Sequence, residues 1–574
     1  MTTPFWFVVA ALVFYAIAYL VYGRWYDRTV WRPDPKRTTP AHMYMDGVEF
    51  FPASRYVLWG YQFKSVAALG PILGPFIALQ YGWLPALIWI ILGNFFIGWL
   101  QDYGAIMVSV RNNGRSFGPI AYEFTGASGR STLLGFILFY LQMISATFVF
   151  FIAQFWNSLP GTFAATVGVI ITAVIVGQLM YKVRLNVGLT TLIGLVLVAL
   201  SVVAGVYLRT PTDPFGAWSI PFWAALVGVF LFVASVVPLP SLIQPMNFIS
   251  FFPTFLAVLL IIVGGLLSPV FHVPLQQPAW KGFWSPNTGP LWPMMFLAIA
   301  CGAISGWHSL VGSSTTAKQL DLETDAHPVG AGAMLSEGLV ALASLAAYMV
   351  LAPGEITKNT TAWVAGAIRL TEGFLGGPGA AAFLATFFGV SLVLYAITVQ
   401  SLVTRFWRLI SAEVAGQGRF AVLGQKHVAT FLGILIAWLF AVSGSWNNLW
   451  LYFGGSNQLL AGLALMLVSI HLARARSQTG WTFWPAMFMI VTTILGLAYQ
   501  TYIFAKAVYT GKTLVQPPLG NIAWAAHTLD GIFTVVGVVL IVLGVRMAIM
   551  TLRSYFAARA RPVSMVGESA SPAR

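Results

Sequence analysis

Apolar runs of helix length recur along almost the whole chain, and they constrain its fold more than any motif does. A hydrocarbon core takes about 20 apolar helical residues to cross, and only helices and closed barrels satisfy their backbone there. The runs predict spans over 4–23, 56–80, 84–110, 131–157, 161–180, 187–208, 222–243, 248–270, 292–316, 330–352, 379–404, 428–447, 449–472, 481–505 and 527–552. That is about fifteen transmembrane helices; at the joins 80–84, 157–161 and 447–449, one tilted helix and two tight ones read alike. Of the 574 residues, 58% are hydrophobic and 8% charged, and the mean hydropathy is +0.81, leaving too few charges to cover a soluble globule. The class is all-α: a polytopic membrane protein whose obligatory partner is the lipid bilayer.

The first segment has no basic flank before it and no small-residue cleavage motif after it, so it reads as a retained helix. Of the 30 lysines and arginines, 22 fall in loops on one side, 6 on the other and 2, Lys64 and Arg546, within spans. Cytoplasmic loops retain such residues, which predicts an N-terminus outside and a C-terminus inside. The net charge of +14 comes from this scatter and not from one patch, which argues against nucleic-acid binding. The single cysteine, Cys301, excludes an internal disulfide or a cysteine metal cluster and reads as a small buried apolar residue. Without a P-loop, a zinc-protease motif or a nucleophile elbow, no enzymatic reading and no cofactor are expected.

Three places interrupt good helices. Prolines at Gly70-Pro71-Ile72-Leu73-Gly74-Pro75 lack amide hydrogens and free carbonyls near Ala67 and Pro71. Val236-Val237-Pro238-Leu239-Pro240-Ser241 has the same property. A hydroxyl-rich run, Ser305 to Thr316, closes the span at 292–316. Broken helices at membrane depth line cavities, and paired breaks in two halves point to a transporter binding site. Taking 56–80 as core helix one and 222–243 as core helix six gives two inverted five-helix repeats, 56–208 and 222–404. They are preceded by an N-terminal helix and basic loop (1–55) and followed by four further helices (405–552) and a tail (553–574).

Helical spacing places the Leu310 carbonyl and the Ser313 and Ser314 hydroxyls at one point, which the freed Ala67 carbonyl completes as a Na⁺ site. The alternative is that these hydroxyls bond back to their own helix and the glycines allow close packing. Ser305, Ser309, Ser313 and Thr316 form a polar stripe beside His308.

Six segments then become recognisable in order. They are Asp46-Gly47-Val48-Glu49-Phe50-Phe51-Pro52, Gly70 to Pro75, Gln101-Asp102-Tyr103, Cys301 to His308, Gly330 to Glu337, and Ser456-Asn457-Gln458-Leu459-Leu460-Ala461. Over roughly residues 40 to 470 the chain resembles the carbon starvation protein A family. The resemblance implies a bacterial inner-membrane carrier, similar to the amino acid/polyamine/organocation (APC) superfamily with its leucine-transporter-like ten-helix core, for peptides or, in some members, pyruvate. Tyr61-Gln62 stands where the family commonly has a His-His pair, and Ser401-Leu402-Val403-Thr404-Arg405 replaces Asp-Thr-Ala-Thr-Arg, so two proton carriers are missing.

Intramembrane ionisable residues are functional candidates by default. Glu337 is either a proton carrier or a protonated structural residue. Asp102 is either a gate pairing with Arg111, Lys64 or Arg405 or a structural pair. His308 binds substrate, carries a proton or satisfies a carbonyl. Lys64 either meets a substrate carboxylate near the Gly-Pro break or snorkels to the surface. Asp46 and Glu49 cap the first core helix, bind a cation or form an inner gate with nearby arginines, capping being preferred, and Asn457 and Gln458 read as helix packing. The working function is a secondary transporter importing a short peptide or a monocarboxylate by alternating access. Gly70, Pro71, Gly74, Lys64, Gln142, with Ser145 beside it, Ser241 and His308 are its expected substrate contacts, and Na⁺, more than H⁺, is the expected coupling ion. The runner-up is a sensor that binds the same ligand without transporting it.

Overall fold

The computed structural model describes residues 3–299, 301–356, 361–416 and 420–560. Among them, twelve continuous helices are long and apolar enough to cross a membrane, and a thirteenth crossing is the pair Arg55–Val66 and Gly70–Tyr81, bent by 45°. The three ambiguous joins are all turns between separate helices. Gly82 (φ 99) separates the first pair, Leu159–Gly161 the second, and Gly444 (φ 65) the third, ahead of Trp446–Arg474. The helix expected to start at 131 begins at Phe117 and runs to Ser158, bending at Gly126 (φ 80), where a left-handed backbone needs glycine.

The break after Val66 follows from Pro71, which cannot donate to the carbonyl of Ala67, so the chain turns extended there (ψ 106). The span at 292–316, with its expected interruption at the hydroxyl-rich run from Ser305, breaks earlier than that run. Leu291–Ala298 is helical, Ile299 and Cys301 to Ser305 are not, and helix resumes at Gly306–Val311 with a wide turn at Gly312–Thr316. The expected break at Val236–Pro245 is a correction of the opposite kind. Val237–Leu242 is a turn joining helix Ser219–Val236 to helix Ile243–Leu267, and its prolines sit where no helical hydrogen bonds are required. The second interrupted stretch is therefore Leu291–Gln319.

The two broken helices pack with helices Trp83–Arg111 and Gly332–Met349, while the long helices Phe117–Ser158 and Ala380–Ala415 lie against each other beside them. A further helix, Ala362–Leu375, occupies what the sequence suggested was an outer loop. Its Trp363 indole donates to Ser344 Oγ (3.0 Å), pinning it over Gly332–Met349.

Candidate ionisable centre and cavity

The broken segments meet face to face because small residues permit it. A Cβ on Gly70 would lie 2.2 Å from the Cβ of Cys301, one on Gly74 2.9 Å from the Ala298 carbonyl oxygen, and one on Gly302 3.3 Å from Pro71 Cα. In this conformation Gly70, Pro71 and Gly74 form a packing surface between the broken segments. The freed backbone groups are taken up by side chains. Trp307 Nε1 donates to the Ser65 carbonyl (2.8 Å), Trp450 Nε1 to Ala298 (2.8 Å), Gln458 Nε2 to Phe296 (2.7 Å) and Ile299 (2.9 Å), and Asn94 Nδ2 to Gly302. Asn457 does most. Its Oδ1 accepts from the Trp307 amide (3.1 Å) and the Tyr140 hydroxyl (3.0 Å), and its Nδ2 reaches Ser305 Oγ (3.1 Å) and Cys301 Sγ (3.2 Å). Asn457 and Gln458 are more than helix packing: they replace the helical hydrogen bonds that the interruption gives up.

One turn past that interruption, His308 stands between two carboxylates. Its Nδ1 lies 2.9 Å from Asp102 Oδ2 and its Nε2 2.8 Å from Glu337 Oε2, all three side chains being wholly enclosed. The Asp102 contact is a hydrogen bond; the Glu337 contact has ion-pair distance but lies off the hydrogen-bond direction. Among the described residues, Asp102 Oδ1 and Glu337 Oε1 have no hydrogen-bond partner. Three residues singled out separately in the sequence, on three helices, therefore form one centre. With the imidazole protonated and both carboxylates ionised it carries one net negative charge, and one more proton neutralises it. Away from water a charge difference of this kind is large in energy, so the protonation state of this centre depends on the charge and packing around it. Both ring nitrogens of His308 face carboxylates. Asp102 pairs with this histidine; Arg111 pairs instead with Glu323 (2.8 Å).

The hydroxyls expected to hold Na⁺ have other neighbours. Thr316 Oγ1 donates to Gln62 Oε1 while the Trp307 indole reaches Ser65, which brackets Ser313 and Ser314 between the levels of residues 62 and 65, short of Ala67. Ser313 Oγ donates to the Ser309 carbonyl (2.7 Å), and Ser314 Oγ lies 3.5 Å from Thr315 Oγ1. Ser305, Ser309 and Thr316 each meet a side-chain amide, from Asn457, Gln101 and Gln62. The stripe is mostly an inter-helix seam, and of its four residues only Ser313 bonds back to its own helix.

Ser313, Ser314 and Leu310 do line a cavity of about 400 Å³, together with Tyr61, Asn247 and Arg405. Its mouth is on the lysine- and arginine-rich side, where Glu49 and Lys318 form an ion pair (2.6 Å). Glu49 is thus a latch and not a cap; the cap of the first broken helix is Ser54, whose hydroxyl accepts from Val57 N (3.5 Å). Asp46 closes its own loop: the amides of Val48, Phe50 and Glu49 hold its carboxyl below the usual carboxylate range. Gln142 turns away from this cavity and donates to the Gly433 carbonyl (3.2 Å), and Ser145 lies beside it on that same interface. Ser241 sits in the turn at Leu239–Ser241, whose Pro240 packs on Gly177. Lys64 is neither at the surface nor in the cavity. It is buried against helix Ala380–Ala415, so it does not snorkel. Arg405, which sequence reasoning used only as a possible gate, is the guanidinium on the cavity wall; its place in the family-like segment Ser401–Arg405 was the signal available.

Membrane-crossing helices, two of them broken at depth and facing each other beside an enclosed ionisable triad, define a polytopic membrane protein organised around an intramembrane charged centre. The family described as Carbon starvation protein CstA matches residues 3–368 and 354–496, and the chain belongs to that family. It is 30% identical to a peptide transporter CstA of Campylobacter jejuni, over 85% of this chain and 79% of that protein, and 28% identical to one of Bacillus subtilis, over 93% and 94%. It is 34% identical to the pyruvate/proton symporter BtsT of Escherichia coli over 61% of this chain and 49% of that one. A solved manganese transporter of Eremococcus coleocola superposes with a TM-score of 0.44 at 16% identity, covering 87% of this chain and 96% of that one.

Proposed function

We propose that this chain is a proton-coupled secondary carrier that imports a small carboxylate-bearing nutrient, a short peptide or a monocarboxylate such as pyruvate, by alternating access across the bacterial cytoplasmic membrane. The observation that carries it is His308 held between Asp102 and Glu337 beside the interruption of Leu291–Gln319. Proton coupling here replaces the Na⁺ coupling expected from spacing. The names of the relatives, peptide transporters and a pyruvate/proton symporter, support the same substrate classes and ion.

The basic side is taken as cytoplasmic, with the N-terminus outside and the C-terminus inside, so the cavity faces inward. Lys426–Val442 and the interrupted Leu291–Gln319 are taken to cross as well, giving fifteen crossings. Counted this way, Arg55–Tyr81 and Leu291–Gln319 are seven crossings apart. An odd offset relates them by inversion, so the repeat pairs these two broken helices and not 56–80 with 222–243. In the inward-facing state Arg405 meets the substrate carboxylate as a fork of donors, and Tyr61, Asn247, Ser313 and Ser314 bind its polar atoms. Protonation of the triad removes its net charge and frees the interrupted helix to move between states; release of the proton inward restores it. No bond-making chemistry is assigned.

The test is uptake by proteoliposomes of labelled pyruvate, alanine and dipeptides, with pH and Na⁺ gradients imposed separately. Accumulation driven by an inward proton gradient, and indifferent to Na⁺, is expected. Saturable binding without gradient-driven accumulation would favour a sensor and contradict the carrier.

A further inference from the structure

Lys64 is a second intramembrane charge that the proton centre does not use. It is 1% exposed, and its Nζ lies 2.8 Å from Thr398 Oγ1 and 3.3 Å from the Leu394 carbonyl oxygen, with the face of the Tyr395 ring 5.0 Å away. Among the described residues no carboxylate forms an ion pair with it. The Thr398 hydroxyl spends its own proton on the Leu394 carbonyl (2.6 Å), so toward Lys64 its oxygen acts only as an acceptor. The Tyr395 hydroxyl points elsewhere, to the Thr254 carbonyl (2.9 Å), leaving the ring face to the ammonium.

A main-chain carbonyl, a hydroxyl one helical turn on and a π face between them are uncharged electron-rich groups converging on one point. That is the donor set of a monovalent-cation site: oxygen ligands suit hard cations, and an aromatic face attracts an ammonium. The acceptors lie on Ala380–Ala415, which packs on the long helix Phe117–Ser158, while the cation is carried by the first broken helix. We infer that Lys64 is a tethered cation: its ammonium occupies a monovalent-cation site on helix Ala380–Ala415 and holds the first broken helix to that helix. A site filled from within the chain needs no Na⁺ from solution, and cutting the tether converts it into one that takes a free cation.

The inference is independent of the substrate and of the proton reading, because it is read from the stability of the ligand-free protein. Thermal unfolding of the purified full-length chain would be followed for wild type, K64A and K64A/T398V. NaCl, KCl, n-propylammonium chloride and choline chloride would be compared at equal ionic strength, choline being too large to enter. Wild type is expected to unfold at one temperature in all four. K64A should fall by about 1–3 °C in choline, the scale of one lost charge-assisted contact in a chain of this length, and recover most of that loss in n-propylammonium or Na⁺. The recovery should vanish in K64A/T398V. K64A as stable as wild type, or equally destabilised in all four salts, overturns the inference. If K64A cannot be purified, T398V alone decides: a lower unfolding temperature than wild type supports the tether, and an unchanged one overturns it. A transport assay that found Na⁺ coupling with these results intact would sink the proton reading and leave the tether standing.

Discussion

At the residue scale, two side-chain sets govern the account. Glu337 is proposed to exchange the transported proton, and E337Q keeps the shape of the side chain while removing its titration. Substrate counterflow, which needs no net proton movement, is expected to persist in E337Q, and accumulation against a gradient to vanish; equal loss of both would make Glu337 merely structural. Asn457 has the opposite role. N457A leaves the Trp307 amide, Ser305 and Tyr140 without their shared partner, each in a buried position. At about 1–3 kcal/mol for each unsatisfied group, a clear fall in the unfolding temperature is expected, without a change in the ion that drives uptake. The sequence named Asp102, His308 and Glu337 individually, because charge inside an apolar run is conspicuous. Their convergence was not legible, since residues separated by more than two hundred positions meet only through the packing of three helices. The absence of the His-His pair and of the motif aspartate drew attention toward Na⁺, although this triad supplies titratable groups of its own.

At the scale of elements, the two breaks have different origins, and this decided which one could be read in advance. Pro71 announces the break after Val66 by local chemistry. The interruption between Ala298 and Gly306 contains no proline and depends on hydrogen bonds from Asn94, Trp450, Asn457 and Gln458, so nothing local marks it. Proline pairs mislead where they sit in a turn, as Pro238 and Pro240 do. The contact between the two breaks is testable: G70A drives its new methyl into Cys301 and should destabilise by about 1–3 kcal/mol, and C301G should restore most of that loss. No coupling in this double-mutant cycle would mean that the segments are not packed as described. At the basic-side end of the same bundle, Glu323, fully enclosed, accepts from Arg111 (2.8 Å), Arg37 (3.3 Å) and the Asp34 amide (2.7 Å). It ties the loop after the first helix to the start of the helix that carries Glu337. E323A strips the partly buried Arg111 of its partner, and a loss of about 1–3 kcal/mol is expected in chemical unfolding.

At the scale of the whole molecule, class was legible from hydropathy alone, because the bilayer imposes the length and apolarity of its crossings. The pairing of helices was not, since it depends on which crossings meet and not on how many there are. What emerges is a set of broken helices whose freed backbone is sealed by side chains, an enclosed proton centre beside the seal, and a cavity that opens on the basic side past the Glu49–Lys318 latch. The central claim is that substrate entry carries a proton through Asp102, His308 and Glu337. The most direct measurement is the internal pH of proteoliposomes, reported by a trapped dye, when pyruvate or a dipeptide is added outside without any imposed gradient. The account predicts substrate-dependent acidification with wild type and none with E337Q, in either Na⁺ or choline. Equal acidification by E337Q, or uptake by wild type that appears only with Na⁺ and without acidification, would contradict it.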